Sequence, residues 1–236
     1  MSNLLSRNAV RIVAFAMIFL SSAVAFCGND TIPSSPQTAE DWFVKGNNVI
    51  HFDQYEEAIV CYEKSIKLDP NGAYVYNMMG IAYLYGKENN EKAIECFEKA
   101  IELKPDFADA YFQLGNAYAD GRQDYDKAIE CYAKAIKCLE EEGEFRLSFA
   151  DVYSNMGNVY AGWNEQYEEA IKCYKKAIEL EPDAAYVYFN LGGVYEELGN
   201  LEKAIECFKK AARLGHNGSQ LWLQHNDIPW KETDEP

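Results

Sequence analysis

An all-α solenoid of stacked helical hairpins is the fold class this sequence predicts, and three observations carry it. One stretch recurs five times, as YEEAIVCYEKSIKLDP, NEKAIECFEKAIELKP, YDKAIECYAKAIKCLE, YEEAIKCYKKAIELEP and LEKAIECFKKAARLGH. Each copy follows a glycine-centred helix pattern, and the glycines (Gly46, Gly80, Gly115, Gly157 and Gly192) are spaced 34, 35, 42 and 35 residues apart. Self-similarity at such a period marks repeats that bury their apolar faces only by stacking on neighbours. Within a copy the spacing is helical. Ala93, Ile94, Phe97, Ala100 and Ile101 recur at three- and four-residue steps and form one apolar stripe.

The chain opens outside the repeats. Arg7 and Arg11 precede the apolar run Ile12 to Leu20, followed by Ser21, Ser22 and Ala23-Val24-Ala25. A basic start, a short apolar core and small residues two apart predict a secretory signal over 1–25, cut after Ala25. The apolar run is short beside the roughly 20 residues of a membrane span; an uncleaved signal anchor is the alternative. Cys27 raises a third possibility, acylation as a lipoprotein, against which stands the bulky Phe26 just before it. Residues 26–38, containing TIPSSPQ, form a flexible linker.

The hairpins then follow at 39–72, 73–107, 108–142, 150–184 and 185–218, with an extended inter-repeat segment at 143–149. Thr38 with Asp41 three residues later predicts a capping box on the first helix. Asn71, Asp106 and Asp183 each follow a proline and precede an apolar run, which is helix-start chemistry. Repeats two, three and four carry one extra residue in the turn between their helices: Gly80 to Ala93 is 13 residues, Gly46 to Ala58 is 12. The stretch from Ala128 to Gly157 has 29 residues where the others have 22. Seven extra residues are about two helical turns, so each flanking helix can lengthen by a turn. Glu140, Glu141 and Glu142 then lie exposed while Phe145, Leu147 and Phe149 pack on the neighbour, giving a longer hairpin tip or a partner-specific projection. SQLWLQHND predicts one more short helix within 219–236, a cap bringing Leu221, Trp222 and Leu223 to the solenoid end. Pro229 stops it, Trp230 folds back and Lys231 to Pro236 are disordered.

A wider pattern frames the glycines. Trp42, Tyr76, Tyr111, Tyr153 and Tyr188 come four residues before them; Tyr83, Tyr118, Tyr160 and Tyr195 come three after four of them. Each second helix brings Ala58, Ala93, Ala128, Ala170 or Ala204, then four residues later Tyr62, Phe97, Tyr132, Tyr174 or Phe208; Pro70, Pro105 and Pro182 close three repeats. Across about residues 39 to 218 this resembles the tetratricopeptide repeat family. The longer turns and the ending KAARLGHNGSQLWL are also similar to the related Sel1-like repeats. Repeat one departs, with Lys45 and Val49 where Leu and Tyr are usual.

The resemblance implies a right-handed superhelical solenoid of about five helix-turn-helix hairpins plus a C-terminal capping helix. It further implies a protein-protein interaction scaffold, with the first helix of each hairpin lining a concave groove. On matching positions, that groove comprises Phe43, Asn47 and Ile50; Tyr74, Asn77, Ile81 and Leu84; Asp109, Phe112 and Asn116; Asp151, Ser154 and Asn158; Tyr186 and Phe189. Amides suit an extended peptide backbone and aromatic rings make strong anchors. Lys45 is the sole Lys or Arg expected on the first helices, so the basic clamp with which some family members hold acidic chaperone tails is lacking.

Composition bounds the remaining classes. The formal charge is −16, and loss of residues 1–25, which carry Arg7 and Arg11 and no carboxylate, takes it to −18. Phosphate contacts need clustered Lys and Arg, so a nucleic-acid partner is disfavoured; a neutral or basic protein or peptide with apolar anchors fits. A membrane enters only through an uncleaved signal or a lipidated Cys27. Of seven cysteines, Cys61, Cys96, Cys131, Cys173 and Cys207 share one repeat slot. Helix axes about 8–10 Å apart place equivalent slots too far apart for the Cα separation of about 7 Å that a disulfide allows. They are small hydrophobes, in tension with an oxidising exterior. No zinc motif, phosphate loop or nucleophile elbow occurs, and His51, His216 and His225 are scattered. The expectation is an exported, secreted or periplasmic, non-enzymatic scaffold without cofactor, metal or catalytic residues. A self-associating envelope module is the alternative, and a carbohydrate-binding or enzymatic role the third.

Overall fold

The computed structural model describes residues 36–142, 147–162 and 166–230. Those residues form eleven α-helices and no strand. The first hairpin is α1 (Ala39–Ile50) and α2 (Tyr55–Leu68); the second, α3 (Ala73–Ile81) and α4 (Asn90–Leu103); the third, α5 (Ala108–Asn116) and α6 (Tyr125–Glu142). The fourth pairs α7 (Phe149–Gly162) with α8 (Tyr167–Leu180), the fifth pairs α9 (Ala185–Glu197) with α10 (Leu201–Arg213), and α11 (Asn217–His225) covers the end. The expected signal over 1–25, Cys27, most of the linker, Phe145 and the tail from Lys231 lie outside the described residues.

Five glycine–aromatic contacts hold the hairpins shut. A Cβ built on Gly46 falls 2.5 Å from the Tyr62 ring, and on Gly80, Gly115, Gly157 and Gly192 it falls 2.6–2.7 Å from Phe97, Tyr132, Tyr174 and Phe208. Only hydrogen fits there. The ring therefore fills the space between the two helices of its own repeat, not chiefly the space between repeats. Ala58, Ala93, Ala128, Ala170 and Ala204 are wholly buried and bring the backbones close. The N-terminal apolar core runs from Ile50 to Val152 and Val159, and the C-terminal core runs from Ala150 to Leu223, so α7 joins them.

The extra residue of repeats two and three does not simply lengthen a turn. Helix α3 continues as a π-helical turn over Ala82–Gly86, and α5 continues over Ala117–Arg122. A π turn holds one more residue than an α turn, so the second helix still starts in register. The glycine in each π turn lets it press on the preceding hairpin. A Cβ on Gly86 meets Tyr55 at 2.2 Å, and one on Gly121 meets Asn90 at 2.2 Å.

The capping box at Thr38 and Asp41 forms as expected. Asn71, Asp106 and Asp183 are not caps: the cap positions are Gly72, Phe107 and Ala184, none with a side-chain bond. The turn after proline runs one residue longer, closed by Phe107 N–H to the Lys104 carbonyl and Ala184 N–H to that of Glu181, both 3.2 Å. Side-chain caps appear instead on second helices, where Asn89 and Asn200 accept from the N–H groups of Lys92 and Lys203.

In the long third interval only one flanking helix grows. Helix α6 has 18 residues against 14 for α2, α4 and α8, about one extra turn. Helix α7 starts one residue earlier relative to its glycine than the other first helices, not a turn earlier. Cys138, Leu139 and Leu147 are buried and Phe149 packs on the core, while Glu140 and Glu141 are exposed.

The repeat cysteines are free; all but the half-buried Cys207 are buried. Burial pushes the thiol of Cys96 up to about 12 and those of Cys131, Cys173 and Cys207 up to about 11. They stay protonated and poorly nucleophilic. No helix among the described residues is long and apolar enough to cross a membrane.

Candidate protein-binding groove

In each first helix the residues six and three before the repeat glycine, and one and four after it, share a face by helical periodicity. The expected groove residues all lie on this face but differ in depth. Ile50, Asn77, Ile81, Leu84, Phe112 and Asn116 are buried and belong to the groove floor. Phe43, Asn47, Asn158, Tyr186 and Phe189 are half-buried, and Tyr74 is 44% exposed.

The aromatic residues three before the glycine stack inward. Phe43 packs on Tyr62 with ring centroids 6.1 Å apart, Phe112 on Tyr132 at 5.9 Å and Phe189 on Phe208 at 5.7 Å. In repeats two and four the same slot holds Asn77 and Ser154, whose Oδ1 and Oγ are buried without a hydrogen-bond partner. Large and small side chains thus alternate along the groove.

Of the amide oxygens expected to meet a guest backbone, those of Asn47, Asn116 and Asn158 are already engaged, and that of Asn77 is not. The hydroxyls of Tyr62, Tyr132 and Tyr174 donate to Oδ1 of Asn47, Asn116 and Asn158, each at 2.8 Å. Burial explains the pairing, because a phenol enclosed in apolar surroundings needs an acceptor. The repeats with Phe97 and Phe208 carry Ile81 and Gly193 in the Asn slot. The next repeat extends the chain of bonds: Asn155 Nδ2 donates to Asn116 at 3.1 Å, and Asn190 Nδ2 to Asn158 at 3.0 Å. Gln113, in the slot of Asn155 and Asn190, accepts from Tyr85 at 3.1 Å. The pairing of Tyr with Asn, and of Phe with an apolar or absent side chain, is the sequence signal that assigns these amides to the hairpin and not to a guest.

Charge is uneven across the two helix layers. Second helices mix signs and form exposed pairs such as Lys172–Glu169 at 2.6 Å and Lys176–Glu179 at 3.0 Å. First-helix groove positions carry Glu40, Asp109, Asp151 and Glu196. The π turn carries α5 on to Arg122, so Lys45 is not the sole basic residue of that layer. Neither occupies a groove position, since Lys45 precedes its glycine by one residue and Arg122 follows its own by seven. Asp151 accepts a hydrogen bond from the Tyr186 hydroxyl of the next repeat, and Ser148 bonds Glu181 nearby. Burial raises the Asp151 carboxyl to about 6, with the Tyr186 bond opposing the shift and Glu181 adding to it. Among the described residues, no group of three or more His, Cys, Asp and Glu is placed to hold a metal.

Family models agree with this architecture. Models described as TPR repeat match residues 53–85, 84–120 and 164–199, and tetratricopeptide repeat models match 106–181 and 185–217. No curated protein sequence matches. Among solved structures, a crystal structure of MamA is 28% identical, covering 74% of this chain and 96% of its own, with TM-score 0.61. MamA from Desulfovibrio magneticus RS-1, at 22% identity, covers 76% and 96% with TM-score 0.64. YrrB, described as a TPR protein with an unusual peptide-binding site, is 23% identical and covers 80% and 92% with TM-score 0.59. With the glycine–aromatic hairpins and these matches together, the chain belongs to the tetratricopeptide repeat family.

Proposed function

We propose that this protein is an exported, non-enzymatic scaffold that holds a segment of another protein in the groove formed by its first helices. The observation that carries the reading is the incomplete burial of Phe43, Tyr74 and Phe189 on that face, while the repeat rings Tyr62, Phe97, Tyr132, Tyr174 and Phe208 of the second helices are enclosed. Partly exposed rings in a rigid setting are the side chains that anchor partners. Peptide binding by YrrB supports the same use of the fold. Export after cleavage at Ala25 is compatible with the free thiols, because burial keeps them protonated. An intact mass beginning at Phe26 in the extracytoplasmic fraction tests it; a mass retaining Met1 contradicts it.

The outward face of α11 bears on the alternative, a self-stacking module. It sets Leu221, 66% exposed, among Asn217, Gln220 and Gln224. A polar-backed cap disfavours end-to-end growth. Groove binding is tested by capture from the native compartment with Phe43→Ala plus Tyr74→Ala, against the outer-face control Glu95→Ala plus Glu130→Ala. Truncating an anchor ring costs about 2 kcal/mol, roughly thirtyfold in affinity, whereas exposed charges contribute far less. Capture is expected to be lost in the first variant and kept in the control; the opposite ranking places the interface on the outer face.

A further inference from the structure

We infer that the groove receives a cationic segment and that Asp151 takes one of its lysine or arginine side chains. The inference rests on the groove reading above and names the chemistry of its occupant. The groove positions of the first helices hold carboxylates and no Lys or Arg, whereas the second helices neutralise much of their own charge. A one-signed concave wall focuses its potential into the groove and selects the opposite sign.

Asp151 is the place where that potential has structure. Its carboxylate is half-buried at the junction of α7 and α9, fixed by the Tyr186 hydroxyl. Among the described residues no cation pairs with it, and the neighbouring charge is another carboxylate, Glu181. A partly buried carboxylate without a counter-charge is costly, and a guest ammonium or guanidinium relieves that cost. One turn further along α7, Ser154 is 1% exposed and its Oγ has no partner. The ring of Phe189, one turn beyond Tyr186, supplies apolar surface for the methylene stem of a long cationic side chain.

The test uses the full chain and three labelled peptides of equal length, in which leucine alternates with lysine, glutamine or glutamate. Fluorescence anisotropy gives affinity and amide hydrogen exchange gives location. The lysine peptide should bind at least about tenfold tighter than the glutamate peptide, and Asp151→Asn should weaken it by about tenfold, the scale of losing one partner from a desolvated charge pair. Protection should fall on α1, α3, α5, α7 and α9. Equal affinity for all three peptides, with protection on those helices, overturns the cationic preference and leaves the groove reading standing. Protection confined to the second helices overturns the groove reading itself. If Asp151→Asn unfolds, the wild-type ranking of the three peptides still decides the sign of the charge.

Discussion

A single hydrogen atom at Gly115 keeps the third hairpin closed, since a Cβ there falls 2.6 Å from the Tyr132 ring. The ring is enclosed and its hydroxyl is tied to Asn116, so it has no room to give. Gly115→Ala should therefore destabilise by about 1–3 kcal/mol, the usual cost of overpacking. At Gly193, one residue after the fifth repeat glycine, an added methyl would meet nothing within 4 Å. Gly193→Ala should be neutral or stabilise by up to about 1 kcal/mol through helix propensity. Urea melts of the two variants check the contrast; equal shifts would contradict the glycine–ring account. Asp151 gives a pH signature at the same scale. Its folded carboxyl lies at about 6, above the unfolded value of about 3.9. The folded chain thus binds that proton more tightly, and the stability this contributes is complete below the unfolded value and lost as pH rises through about 6. Relative to wild type, Asp151→Asn should raise the melting temperature at about pH 7 and change it little at about pH 4. The same gain at both pH values would contradict the assignment. The positions of the glycines and rings were legible in the sequence. The engagement of the asparagine oxygens was not, because an Asn after the repeat glycine serves a buried tyrosine or a guest backbone equally well on spacing alone.

Helices, as elements, were legible from the three- and four-residue apolar steps; their ends were less so. Counting residues from Gly80 to Ala93 reveals one insertion but not its form. A longer turn and a π turn consume the same number of residues, and contact with the preceding hairpin selects the π turn here. Likewise Asn71, Asp106 and Asp183 carry cap chemistry, yet the turn after proline runs one residue past them. The long third interval divides unequally between its helices, which its length alone does not specify; burial of Cys138 and Leu139 favours growth of α6. The π turn makes its own prediction. Gly86→Ala drives a methyl into the base of Tyr55, which cannot swing aside as a side-chain tip can. It should cost about 1–3 kcal/mol by overpacking, with faster amide exchange where the start of α2 meets the π turn after α3, before the rest of the chain. Exchange that rises uniformly along the chain would argue that the contact is not local.

At the scale of the whole molecule, the solenoid is a row of hairpins in which α7 belongs to both halves of the core. Near-neighbour stacking gives such a chain one continuous inner face and one outer face. The inner face presents the partly exposed rings of Phe43, Tyr74 and Phe189 beside carboxylates with no Lys or Arg at the groove positions, and the outer face carries paired Lys and Glu. Fold class was legible at this scale from periodicity, and the acidic character from composition. Which rings remain exposed was not, because Phe43 and Phe112 occupy the same repeat slot and differ only in how the neighbouring hairpin covers them. On the proposed function, a partner segment lies along the first helices. A photo-crosslinking residue placed at Tyr74 or Asn47, and separately at Glu95 or Glu130, tests it in the native compartment. One shared crosslinked partner is expected from Tyr74 and Asn47, and none of it from Glu95 or Glu130. A partner captured only from Glu95 and Glu130 would contradict it.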